Sequence, residues 1–148
     1  MGQVLFFDDG HHGDSAFSGC ASLANVTLPD GLATIGDEAF SLCSALATVT
    51  LPDGLTAIGD EAFAYCTALA AVTLPDGLTS IGDETFAYCF SLASVTLPDS
   101  LAAIGDDVFY GCPGTLTLTV PQGSYACQYA IDNGLPYTYP DANDWLYA

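Results

Sequence analysis

Five cysteines, Cys20, Cys43, Cys66, Cys89 and Cys112, recur at a constant interval of 23 residues, and Cys127 lies outside the series. Thiols can serve as nucleophiles, metal ligands or disulfide partners, and the interval speaks against each. Zinc motifs place ligands about two to four residues apart, which these are not. A cysteine nucleophile needs a base, and the only histidines are His11 and His12, both near the N-terminal end of the sequence. If the repeats stack in register, the cysteines form a column about 5 Å apart. That separation falls in the disulfide range, but in-register side chains project in parallel rather than toward one another. The series therefore reads as buried free thiols acting as small hydrophobes, with a Cys112–Cys127 pair left open.

Carboxylates form the second set. Asp30, Asp53, Asp76 and Asp99 share the interval, as do Asp37, Asp60, Asp83 and Asp106, and also Glu38, Glu61, Glu84 and Asp107. Stacked unit charges about 5 Å apart repel by only roughly 1 kcal/mol in water, so solvent can tolerate such columns. Turn and capping roles account for these residues, and low-affinity Ca²⁺ binding between columns is the alternative. Asp8, Asp9, His11, His12 and Asp14 cluster among glycines, as a metal-binding loop or a solvated end segment would. No metal ligands and no cofactor are assigned. Phosphate loops, nucleophile elbows and zinc helices are not visible. With no convergent acid, base and nucleophile, the expectation is a protein that is not an enzyme.

The charge balance narrows the partners. The chain has no Lys or Arg against 18 acidic residues, a formal charge of −18. Nucleic-acid binding relies on cations that neutralise phosphates, so no nucleic acid is expected as a partner. Anionic membranes are disfavoured for the same reason. No membrane insertion is expected either, because no stretch approaches the roughly 18 apolar residues of a span. The opening residues, Met1 to Asp9, lack the basic and apolar regions of an export signal. A basic or cation-bridged protein fits best.

The elements that hold these columns follow from the period. Leu23-Ala24-Asn25-Val26-Thr27-Leu28-Pro29 recurs, with variation, at Leu46, Leu69 and Leu92. A unit of 23 residues cannot bury its own apolar face, so copies stack into a solenoid. In each, a short strand should turn Val26 and Leu28 inward and Asn25 and Thr27 outward. Pro29 ends the ladder. Pro29-Asp30-Gly31 reads as a turn in which proline fixes one φ and glycine supplies a positive one. Leu32 and Ile35 return to the core. Gly36 should permit a sharp bend, and Asp37 should cap the amides of a short helical turn. Phe40, Cys43 and Leu46, spaced i, i+3 and i+6, would bury one side of that turn.

The two ends differ from the middle. Gly13-Asp14-Ser15-Ala16-Phe17 repeats the bend of later coils, so a partial coil precedes the first whole one, with residues 4 to 7 as a divergent strand or cap. Thr115 to Val120 reads as a last strand. Ser124 should cap a helix over Tyr125 to Asp132, stopped by Asn133-Gly134. Leu135, Tyr137, Tyr139, Trp145, Leu146 and Tyr147 would then form an aromatic lid. The expected division is 1–16, a divergent partial coil or cap; 17–120, the solenoid; and 121–148, a C-terminal cap.

Leu28-Pro29, Ile35-Gly36, Ala39-Phe40 and Cys43, with their copies 23, 46 and 69 residues on, resemble the BspA-type leucine-rich repeats of bacterial and protist surface proteins. The resemblance runs from about Gly13 to Val120. It implies a leucine-rich-repeat right-handed α/β solenoid with short parallel strands, and an extracellular or cell-surface protein that adheres to host, matrix or microbial proteins. In such repeats the exposed strand face commonly binds partners. Here it would carry Asn25, Thr27, Thr48, Thr50, Thr73, Ser94, Thr96, Thr117 and Thr119, although threonine also simply suits exposed strands. A structural spacer in a larger surface protein and a Ca²⁺-dependent module remain the competing expectations.

Overall fold

The computed structural model describes residues 11–12 and 17–140. Each whole coil begins with a three-residue strand whose middle residue is apolar. These are β2 (Asn25–Thr27), β4 (Thr48–Thr50), β6 (Ala71–Thr73), β8 (Ser94–Thr96) and the closing copy β10 (Thr117–Thr119). A second, two-residue strand ends in isoleucine: β3 (Thr34–Ile35), β5 (Ala57–Ile58), β7 (Ser80–Ile81) and β9 (Ala103–Ile104), preceded by β1 (His11–His12). The chain ends in α1 (Tyr125–Asp132) and β11 (Tyr137–Thr138).

All pairing is parallel and advances by one period. Val26 lies opposite Val49, Ile35 opposite Ile58 and Val72 opposite Val95. The second strands make one continuous sheet, β1-β3-β5-β7-β9. The first strands make two: β2-β4, and β6-β8-β10-β11. Among the described residues no ladder joins β4 to β6, and Val49 and Leu51 beside this seam are only partly buried, whereas Val72 and Val95 are sealed. Val49 and Leu51 still pack against the core, but the seam leaves them less completely covered than their copies.

The core is a pile of identical layers. Phe17, Phe40, Phe63, Phe86 and Phe109 stack with successive centroids 5.3, 5.3, 5.6 and 5.8 Å apart and planes within 14°. These separations lie in the favourable range for offset aromatic pairs. Leu32, Leu55 and Leu78, with Leu46, Leu69 and Leu92, complete the layers at essentially zero exposure.

Three local expectations change. Leu32 N–H donates to the Pro29 carbonyl at 3.1 Å, so Asp30 and Gly31 are the central pair of the turn and proline precedes them. Gly31 is not left-handed. Glycine recurs because coils approach closely: a Cβ on Gly54 would sit 3.2 Å from the Asp30 carbonyl. Second, the segment after Gly36 is a chain of turns, closed by Ala39 N–H to Gly36 O, Ser41 N–H to Glu38 O and Cys43 N–H to Phe40 O. The intervening amides of Glu38, Phe40 and Leu42 each donate 2.8 Å to Asp60, Ala62 and Ala64 of the next coil. Turns bury Phe40, Cys43 and Leu46 as a helix would, but they release every second N–H to bond between coils. Third, that alternation puts Glu38 and Leu42 at φ 58° and 63°, and their copies follow suit. The left-handed residues of the inner coils are thus acidic, leucine or tyrosine side chains rather than the glycine of the Pro-Asp-Gly turn.

At the C-terminal end the expected helix is present, with Ser124 Oγ accepting the Cys127 N–H at 3.0 Å. After Gly134, at φ 66°, the chain returns as β11 beside β10, and Leu135 and Tyr139 pack partly on the core. Trp145, Leu146 and Tyr147 of the expected lid lie outside the described residues, as do Asp8, Asp9, Asp14 and residues 4 to 7. At the other end β1 pairs in register with β3, and Phe17 N–H donates to the Ala39 carbonyl at 2.7 Å, continuing the coil pattern.

Candidate functional site

The stacking turns each repeated residue type into a column, and each column has its own chemistry. The cysteines lie in the interior at Cys43, Cys66, Cys89 and Cys127, and are partly buried at Cys20 and Cys112 toward the ends of the series. All six are unpaired, including Cys112 and Cys127. Cys43, Cys66, Cys89 and Cys112 each direct the thiol to the carbonyl of Phe17, Phe40, Phe63 and Phe86 respectively, at 3.2 Å. Burial pushes the Cys43 thiol up to about 11 and Cys89 to about 12, and raises Cys66 and Cys112 as well. A thiol that is neutral, bonded and sealed is a poor nucleophile and a poor ligand. The column is a structural ladder, and the geometry adds hydrogen bonding to its apolar role.

The Asp37 column also bonds between coils. Asp37 Oδ1 accepts the Asp60 N–H, Asp60 Oδ1 the Asp83 N–H, and Asp83 Oδ1 the Asp106 N–H, all at 2.8 Å. The expected capping role is thereby redirected: each carboxylate serves the coil above it instead of a helix in its own coil. This bond explains the glycine that precedes each aspartate. A Cβ on Gly59 would fall 2.7 Å from the Asp37 nitrogen and against its carboxylate.

Alongside run Glu38, Glu61 and Glu84, which with Asp37, Asp60 and Asp83 line an open groove of about 360 Å³. Hydrogen bonding to Glu38, then burial, then hydrogen bonding to Glu84 and the two charges hold the Glu61 carboxyl up at about 7. Among the described residues no group of three or more His, Cys, Asp or Glu is disposed to hold a metal ion.

The first-strand face carries the expected polar residues in register. Asn25 pairs with Thr48, Thr27 with Thr50, Ala71 with Ser94, Thr73 with Thr96, Ser94 with Thr117 and Thr96 with Thr119. Asn25, Thr27, Thr48, Thr50, Thr73 and Ser94 are exposed, whereas Thr96, Thr117 and Thr119 are half-covered near the β11 end. The seam between β4 and β6 divides the array into two parts.

One surface escaped sequence reasoning. Tyr65 and Tyr88 stack with centroids 4.6 Å apart, and Phe90 and Tyr110 set their rings nearly perpendicular to Tyr88 at 6.2 and 5.5 Å. Tyr65, Phe90 and Tyr110 are exposed. The signal in the sequence is Ala64-Tyr65-Cys66 repeated at Ala87-Tyr88-Cys89, with Tyr110 before the final cysteine of the series.

A family model described as the BspA type leucine rich repeat region matches residues 11–131 in six copies. The chain belongs to this family. Among solved structures, this BspA-type chain is similar to the leucine rich repeat protein of T. pallidum, at 38% identity and a TM-score of 0.75, over 80% of this chain and 58% of that one. It is similar to a leucine rich cell surface protein from Faecalibacterium prausnitzii at 30% identity and a TM-score of 0.79, over 88% and 35% of the two chains. A leucine-rich repeat protein from Bacteroides ovatus gives 27% identity and a TM-score of 0.69, over 93% and 42%. The chain therefore spans little more than half the length of the first relative and about a third of the second. No curated protein matches. BspA-type repeats account for the parallel-strand solenoid, its 23-residue coils and its low helix content.

Proposed function

We propose that the chain is a non-enzymatic protein-recognition module of a secreted or cell-surface protein, and that the first-strand face is where it adheres to a partner. The observation that carries this reading is the register: Asn25, Thr27, Thr48 and Thr50 on one side of the seam, and Thr73 and Ser94 on the other, stand exposed on hydrogen-bonded strands, in register within each part. Hydroxyl and amide groups held at a fixed repeat offer directional bonds at little entropic cost. The acidic columns add a strongly negative field that would speed encounter with a basic or cation-bridged host or microbial surface protein. The family and the description of the F. prausnitzii relative as a cell surface protein support the location.

The test is to replace Thr50, Thr73 and Thr96 together with Lys and measure retention of purified host and microbial surface proteins on the immobilised module. Capture should fall by at least about tenfold where exposed hydroxyls are exchanged for bulky cations across one interface. Unchanged capture by a folded triple variant would remove the face as the site and leave a spacer role.

A further inference from the structure

Between the last coil and α1 lies a cup of about 140 Å³ lined by Asp107, Phe109, Tyr110, Tyr129, Asn133 and Leu135. Of its lining, Phe109 is buried, Tyr129 and Leu135 are half-buried, and Asp107, Tyr110 and Asn133 are exposed. Tyr110 is also one end of the aromatic strip, edge-on to Tyr88, which stacks on Tyr65 and meets Phe90. The cup thus opens onto contiguous exposed apolar surface on a different edge of the coil from the threonine face.

Its electrostatics are one-sided. Burial first, then the charges of Asp107, Asp106 and Tyr125, push the Tyr129 hydroxyl above its ordinary range, against the lowering effect of a backbone hydrogen bond to Val108. Burial, the neighbouring tyrosines, Glu84 and Asp107 do the same to Tyr88. The Asn133 Nδ2 donates 2.9 Å to the Tyr129 carbonyl, so its amide oxygen is the atom of that side chain suited to receive a donor. Aromatic rings are negative on their faces and attract cations. An anion would be repelled here, and a wholly apolar ligand would strip water from the carboxylate without replacing it. A cation on an aliphatic stem meets both demands: the stem covers Tyr110 and Leu135, and the head reaches Asp107 and Asn133.

These 148 residues contain no Lys or Arg, so that side chain must come from outside them. We propose that this cup is a docking pocket for a single Lys or Arg side chain of a partner protein, with the strip of Tyr65, Tyr88, Phe90 and Tyr110 receiving apolar residues beside it. This site is additional to the threonine face and does not depend on it.

The experiment titrates the whole chain with a short peptide carrying one Arg between Leu and Phe, and with the same peptide carrying neutral citrulline instead. Amide chemical shifts report the location. The Arg peptide should move Tyr110, Tyr129 and Asn133, and citrulline should bind at least about fivefold more weakly. Tyr110→Ser and Asp107→Asn should each weaken the Arg peptide by about fivefold. Asparagine tolerates the left-handed backbone of residue 107, so the second variant keeps the coil. Asp53→Asn, an equal charge change elsewhere on the solenoid, should leave affinity within about twofold. Equal weakening by Asp53→Asn and Asp107→Asn would overturn the proposal in favour of diffuse charge attraction. Equal binding of citrulline would overturn it in favour of a purely apolar strip. Nuclear Overhauser contacts from Tyr110 to residues 141–148 or to a second copy in the free protein would also overturn it.

Discussion

Glu61 concentrates the chemistry of the acidic edge in one residue. Its neighbours are all carboxylic: Glu38 and Glu84 bond to it, and Asp37, Asp60 and Asp83 share the groove. Its carboxyl is raised from 4.5 to about 7 in the folded chain, so the folded state holds its proton more tightly than the unfolded state does. The stability gained is complete below the unfolded value and is lost as pH rises through about 7. Melting temperature should therefore decline between these limits. Glu61→Gln, which keeps hydrogen-bonding capacity without ionising, should flatten the decline. A melting temperature that climbs with pH across this window would show that the carboxyls do not share a proton. Because the column is largely open to solvent, screening keeps the effect modest.

Backbone handedness decides how the turn segment behaves as an element. Leu42 sits at φ 63° and is half exposed, so it bears the left-handed penalty with little burial in return. Gly19 and Gly111 occupy the equivalent positions at the two ends of the solenoid, at φ 77° and 79°. Leu42→Gly should relieve roughly 1–2 kcal/mol of steric cost and give back about 0.5–1 kcal/mol in backbone entropy. The expected result is a melting temperature a few degrees higher. Gly59→Ala should act oppositely, losing about 1–3 kcal/mol by overpacking, because its Cβ would drive into Asp37 of the coil below. Calorimetry on the two variants checks both signs.

These elements also mark what could be read in advance. The period, the inward Val26 and Leu28, the Phe40 layer and the Ser124 cap follow from side-chain pattern and propensity, which are local properties of the chain. The turn chain after Gly36 does not, because i, i+3 spacing suits a helix and a run of turns equally. What decides between them is the bond from Glu38 N–H to the Asp60 carbonyl, a partner in the next coil. Of the candidate surface, the threonine register was legible for the same reason as the core, since exposed positions alternate with buried ones. The cup beside Tyr110 was not, because residues 107, 129 and 133 meet only when α1 docks on the last coil.

At the scale of the whole molecule, electrostatics opposes the fold and apolar stacking sustains it. A formal charge of −18 with no Lys or Arg leaves carboxylates to repel one another along every column. Added salt should therefore raise the melting temperature. Sodium and calcium salts at matched ionic strength should do so equally, since no described cluster is disposed to hold a metal ion. A larger rise with calcium would identify specific binding between the columns.

The seam between β4 and β6 gives this rod a joint. Around it, Glu61, Phe63 and Tyr65 still donate to Asp83, Thr85 and Ala87, and β5 remains laddered to β7. Only this side of the stack lacks a ladder between the two coils, so a bend of the solenoid would meet least resistance here. Such a bend would change the distance from Thr50 to Thr73 and leave the laddered spacing within each half as it is. A ligand that grips both halves must then set the curvature of the rod, and one that grips a single half leaves it free to swing.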